Sequence, residues 1–190
     1  MKQWSLCFRI WHWLTAIAIF GLLGTVLLRK TFLSWRTNSD LIVTKLSSYG
    51  VTITHDQAVS IAKAIRAPMW DWHIILGYVL VALVVSRIIL FFTQSGSQNY
   101  IDFDTKDLHQ KAVSTVYLVF YGIIFIMSIS GLILIFEDSL GLGESLEHTI
   151  KETHEFLFNG IWIYALIHIV GVIIAENKDE KGITSTMIGK

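Results

Sequence analysis

Four apolar stretches dominate this chain, at residues 8–28, 73–92, 112–136 and 156–175. Each meets the requirement of about 20 helical residues for crossing the hydrocarbon core of a bilayer. A backbone in lipid must satisfy its polar groups internally, so spans of this kind are helices. The chain therefore reads as all-α, an integral membrane four-helix bundle forming one domain over residues 1–190. Composition agrees: 53% of the 190 residues are hydrophobic and 16% charged, against roughly a quarter charged in ordinary soluble domains.

The first stretch does not read as a cleaved signal peptide. It has no small-residue cleavage site, and Arg9, Trp11, His12 and Trp13 interrupt its apolar run. Net charge is zero, and no basic block points to nucleic acid. The single Cys7 excludes an intrachain disulfide and any site built from several thiolates.

Four spans put both termini on one side. That side, with the 94–111 connection, carries eight bases: Lys2, Arg9, Arg87, Lys106, Lys111, Lys178, Lys181 and Lys190. The other carries seven: Arg29, Lys30, Arg36, Lys45, Lys63, Arg66 and Lys151. Counting bases barely favours cytoplasmic termini. The connection after the third span adds some weight, because Glu137, Asp138, Glu144 and Glu147 precede its only lysine.

The connection between the first two spans is the longest, and it predicts a small extramembrane helical hairpin over 39–67. Ser39 is placed to cap a helix at 40–49 that Gly50 stops. Thr54 and Gln57 fit a capping box for a second helix. That helix would gather Ala58, Ile61, Ala62 and Ile65 on one face before Pro68 ends it. A lid over one mouth of the bundle is the plain role for such a hairpin, and a partner-docking surface the other. The residues from Lys178 onward read as a solvated tail.

Four of the seven histidines lie in or at the head of a span: His12, His73, His154 and His168. An ionisable group at membrane depth is costly, which makes function the default reading. A single buried histidine can equally be a core residue satisfied by a neighbouring hydroxyl or carbonyl. The joint placement of the four argues against that. His154 and His168 are 14 residues apart, which is about 40° short of four full helical turns and roughly 21 Å of rise. They share one side of the fourth helix, one near each membrane face. Alternating topology sets His12 at the depth of His168, and His73 at the depth of His154.

Two imidazoles facing each other, with no acidic ligands nearby, make poor zinc ligation. They do supply the two axial nitrogens of a haem iron, and bundle cores are common homes for such cofactors. Gly77, one turn after His73, and Gly21, Gly24, Gly160 and Gly171 would let flat macrocycles approach. Ordinary small-residue helix packing explains the same glycines. Arg9, one turn before His12, is placed to pair with a haem propionate, as Arg36 or Arg66 are on the other side. Interfacial snorkelling accounts for them equally well.

The motif Arg9-Ile-Trp-His12-Trp13 resembles the opening of the first helix in the bacterial cytochrome b561 and nickel-hydrogenase cytochrome b family. His73-Ile-Ile-Leu-Gly77-Tyr78 resembles that family's second-helix ligand motif. His154-Glu155, followed by Asn159, Tyr164 and His168, is similar to its fourth helix. The resemblance covers all four spans but not the hairpin at 39–67. It implies two b haems in a bacterial cytoplasmic membrane, with His12 and His168 ligating the inner one and His73 and His154 the outer one. It also implies electron exchange with quinone and cytoplasmic termini.

The third span opens with Asp107-Leu-His109-Gln110-Lys111. His109, Gln110 or Lys111 is a candidate to bind a quinone head group or its proton, with plain interface anchors as the alternative. Three functions are compatible with these readings. The first is an electron conduit between quinone and a donor, which would be a dehydrogenase, a hydrogenase subunit or a periplasmic cytochrome. The second is a free-standing superoxide:quinone oxidoreductase, with Lys30, Arg36, Lys45, Lys63 and Arg66 steering the anion. The third is a haem-free membrane anchor.

Overall fold

The computed structural model describes residues 4–93, 108–178 and 182–189. The 94–107 connection, including Asp107, and the side chain of His109 lie outside the described residues. The described chain is all-α: α1 (Leu6–Lys30), α2 (Trp35–Ser48), α3 (His55–Thr93), α4 (Leu108–Ile135), α5 (Glu137–Leu140), α6 (Glu144–Asn177) and α7 (Ile183–Ile188). Four of these, α1, α3, α4 and α6, are long and apolar enough to cross a membrane, as the four apolar stretches predict. Ile17, Ile89, Ile163 and Ile173 are exposed on them. Apolar surface on that scale is rare on soluble monomers and is the normal outer face of a helix in lipid.

Backbone packing divides the chain into two compact units, Ile17–Val79 and the pair Met1–Ala16 with Leu80–Lys190. In the first, α2 begins at Trp35, ahead of the expected start. Ser39 is consequently not a cap but a fully buried residue of the helix interior, its hydroxyl donating to the Arg36 carbonyl at 2.9 Å. Gly50, at φ +77°, marks the stop. The capping box forms as read: Gln57 N–H donates to Thr54 Oγ1 at 3.2 Å, and Thr54 N–H to Gln57 Oε1 at 2.9 Å. The buried face beyond it is narrower than expected. Ala58 and Ala62 are buried, while Ile61 and Ile65 are exposed. Lys63 lies over the Trp35 ring at 5.6 Å, and His55 Nε2 is 3.6 Å from Asp40, tying α2 to the start of α3.

Pro68 does not end this helix. It lies inside α3, which continues unbroken through Thr93. A proline removes one hydrogen bond and crowds one carbonyl, and the apolar run that follows is long enough to carry the helix past that local defect. The second arm of the hairpin and the second span are therefore one helix.

In the other unit, Gly160 of α6 meets Ile123 of α4, a Cβ there falling 3.0 Å from that side chain. The Phe120 and Tyr164 rings stack at 3.5 Å. α6 starts at Glu144, well before its apolar stretch, so His148 is helical and lies 3.6 Å from Glu152 one turn on. The chain end also departs from a plain solvated tail. Glu176 accepts from Gly182 N–H at 2.8 Å and from Thr184 N–H at 2.9 Å, fastening α7. Trp13 Nε1 donates to the Met187 carbonyl at 3.2 Å.

Candidate functional site

His12 on α1 and His168 on α6 face each other, with ring centroids 6.1 Å apart and planes at 59°. Metal–imidazole bonds are about 2 Å long. Adding about 1 Å from each nitrogen to its ring centre, two imidazoles on opposite sides of one ion have centroids roughly 6 Å apart. Rotation about the shared axis is free, so a 59° angle between the planes is compatible with this. His168 is held in place by Tyr164, one turn earlier, stacked at 5.7 Å and 11°, and by the edge of Tyr117 at 6.5 Å.

His73 and His154 are each fixed by a hydroxyl. Thr25 Oγ1 lies 2.9 Å from His73 Nδ1, and Ser130 Oγ lies 2.9 Å from His154 Nδ1. Each hydroxyl has one proton, and each commits it to the carbonyl three residues earlier: Thr25 to Leu22 at 2.7 Å, Ser130 to Met127 at 3.1 Å. With the hydroxyl proton on that carbonyl, the oxygen accepts from Nδ1–H and the lone pair of the ring is on Nε2. This is the tautomer a metal ligand needs, with the second nitrogen oriented as metal-bound histidines usually are. Trp70, one turn before His73, stacks on it at 5.3 Å and 5°. Arg29 lies over the Trp70 ring at 4.4 Å.

Neither hydroxyl stands out in the sequence, and nor does Gly131. A Cβ at Gly131 would fall 3.2 Å from His154 Cε1, so this glycine is what lets the ring lie against α4. Gly21 abuts Leu76 and Gly160 abuts Ile123, the helix-packing role. A Cβ at Gly77, Gly24 or Gly171 would meet nothing within 4 Å. The Arg9 guanidinium lies against Gly189 beyond α7, and Arg36 lies over the Trp35 ring at 5.0 Å. Arg66 is half-buried on α3, about two turns before His73. Gln110 is exposed and Lys111 half-buried in the first turn of α4.

Among the described residues, no three His, Cys, Asp or Glu side chains converge on a common point. The donor set is thus imidazoles acting at most in pairs. That set fits axial ligation of a haem iron and does not fit a tetrahedral zinc site. No curated protein and no solved structure matches the chain. The family model for prokaryotic cytochrome b561 does, over residues 3–190, and with nearly the whole length matched the chain belongs to that family.

Proposed function

We propose that the chain is a di-haem membrane cytochrome that passes electrons between a redox partner at one membrane face and the quinone pool. The family carries electrons in membranes by means of haem b held through histidines. The observation that carries the finer reading is the 6.1 Å separation of the His12 and His168 rings, the spacing expected of two axial ligands on one iron. His73 and His154, at matched depth by span topology and both with Nε2 as the lone-pair nitrogen, serve the second haem.

A bis-imidazole haem b supplies a one-electron carrier with both axial positions filled. The protein does the rest. Thr25 and Ser130 hold two of the rings in the ligating tautomer. Tyr164 and Tyr117 fix the plane of a third. Trp70 fixes that of His73, with Arg29 stacked on the Trp70 ring. Arg9, Arg36 and Arg66 remain candidates for propionate partners, Gly77 for close approach of a macrocycle, and His109, Gln110 and Lys111 for quinone contact. The base-poor connection after the third span supports cytoplasmic termini in a bacterial inner membrane. A dehydrogenase or hydrogenase subunit, or a periplasmic cytochrome, is the class of donor proposed.

The experiment is a reduced-minus-oxidised spectrum of detergent-purified protein with a pyridine haemochrome count. Two b haems per chain are expected. Replacing His12 or His168 by alanine should remove one, and replacing His73 or His154 the other. A single haem would defeat the di-haem reading, and a colourless protein would leave only the anchor.

A further inference from the structure

Arg87 looks in sequence like a base at the end of its span, yet only 9% of its surface is exposed, within an apolar helix long enough to cross a membrane. Its guanidinium is ringed by aromatics from α1 and α4, with Phe8 at 5.4 Å, Trp11 at 5.4 Å and Tyr121 at 5.5 Å, and Nε donates to Tyr121 Oη at 3.4 Å. It also borders an apolar cavity of about 380 Å³, walled by Val84, Ile88, Leu118 and Phe125 among others. The ion pairs found among the described residues involve other side chains. Arginine keeps its proton in proteins. The ring faces and the Tyr121 hydroxyl offset part of the cost of burying that charge, but they carry no opposite charge, so its field is not cancelled. A packing role alone would be met by an apolar side chain without the cost.

Two runs of neighbouring side chains lead from this charge to the His12–His168 pair, all within one compact unit. Trp11 directly precedes His12 on α1. Tyr121 directly follows Phe120, whose ring stacks on Tyr164 at 3.5 Å, and Tyr164 stacks on His168 at 5.7 Å. A helix with its side chains is about 10–12 Å across, so a cation against the Trp11 ring lies within roughly 16 Å of the His12 ring. A redox centre there gains one negative charge on reduction. At that range, and at an effective dielectric of about 20, a fixed unit charge favours the reduced state about fivefold.

We propose that Arg87 sets the potential of the haem held between His12 and His168, its uncancelled charge favouring the state that has gained the electron. This rests on the di-haem reading above. Phe8, Trp11 and Tyr121 keep the guanidinium out of solvent, where its field would be screened.

The test is redox potentiometry of haem-loaded protein in nanodiscs of neutral phospholipid. The His12→Ala variant identifies which component of the titration belongs to this haem. Arg87→Gln should shift that component about fivefold toward the oxidised state, which is roughly 40 mV at 59 mV per tenfold for one electron. The other component should move less, since its ligand His154 lies roughly 21 Å further along α6. Tyr121→Phe removes the hydrogen bond but no charge, and should leave both components in place. Arg87→Met repeats the measurement if the glutamine variant folds poorly. Both Arg87 variants should keep the wild-type haem count. Unchanged potentials in the Arg87 variants overturn the proposal. An equal shift in Tyr121→Phe overturns it as well, and would make Arg87 a packing latch. So does loss of haem from the Arg87 variants, which would make it a group that holds the haem. If His12→Ala removes no component, the di-haem reading falls and this proposal with it.

Discussion

Ser130 Oγ lies 2.9 Å from Nδ1 of His154 and 3.1 Å from the Met127 carbonyl, and with its own proton on that carbonyl it accepts from the imidazole. The same arrangement joins Thr25 to His73. In both cases a hydroxyl on one helix meets Nδ1 of a histidine on another.

Ser130→Ala should therefore remove the hydroxyl partner of the His154 Nδ1 inside the membrane. Losing such an orienting partner typically weakens metal binding about 10- to 100-fold, so the variant should retain less haem at the His73–His154 level. The haem that remains should have a higher midpoint potential, because the imidazole becomes a poorer donor to ferric iron. Ser130→Thr, which keeps the hydroxyl, should restore both. Haem titration and redox potentiometry decide. Unchanged retention and potential in Ser130→Ala would show that the hydroxyl merely satisfies a core histidine.

Gly131 gives a steric counterpart. The Cβ of Gly131→Ala would fall 3.2 Å from His154 Cε1, forcing the ring to shift by a few tenths of an ångström. The same change at Gly122, where a Cβ meets nothing within 4 Å, should be neutral or stabilising by up to about 1 kcal/mol. Haem per chain should fall for Gly131→Ala alone. Equal haem counts would mean that the ring is free to give way.

What could be read in the sequence was whatever is local or periodic. The spans announce themselves by length and apolarity, and the Thr54–Gln57 box and Gly50 by chemistry within a few residues. The four histidines stand out because the bilayer makes each one expensive. Thr25 and Ser130 carry no such mark. They meet their histidines 48 and 24 positions along the chain, and a hydroxyl in an apolar helix is otherwise unremarkable. Arg87 was visible only as a charge near a span end, since burial by Phe8, Trp11 and Tyr121 depends on three helices. Hydropathy also says nothing of helix beyond the bilayer, which is why the polar first turns of α6 read as loop.

One carboxylate supplies three hydrogen bonds to the segment that carries α7. Glu176 accepts from Gly182 N–H, Thr184 N–H and, at 3.0 Å, the Thr184 hydroxyl. Glu176→Ala removes all three hydrogen bonds and should release α7 together with the Trp13–Met187 bond. Trypsin should then cut at Lys178 faster than in the wild type, with the haem count unchanged. An unchanged cleavage rate would mean that Trp13 and the Gly189–Arg9 contact hold α7 by themselves.

Pro68 sits inside α3 without ending it. It offers no N–H to the carbonyl of Ala64 four residues back, and its ring crowds that same carbonyl. If the proline is only a tolerated defect, Pro68→Ala should restore the missing hydrogen bond and stabilise the protein by up to about 3 kcal/mol. Haem content and potentials should not move, because His73 begins more than a turn later on the same helix. Thermal unfolding followed by circular dichroism, alongside a haem count, separates the cases. A higher melting temperature with unchanged haem supports the defect. A lower one, or loss of the haem that depends on His73, would show that the proline sets the course of α3 and so the position of His73.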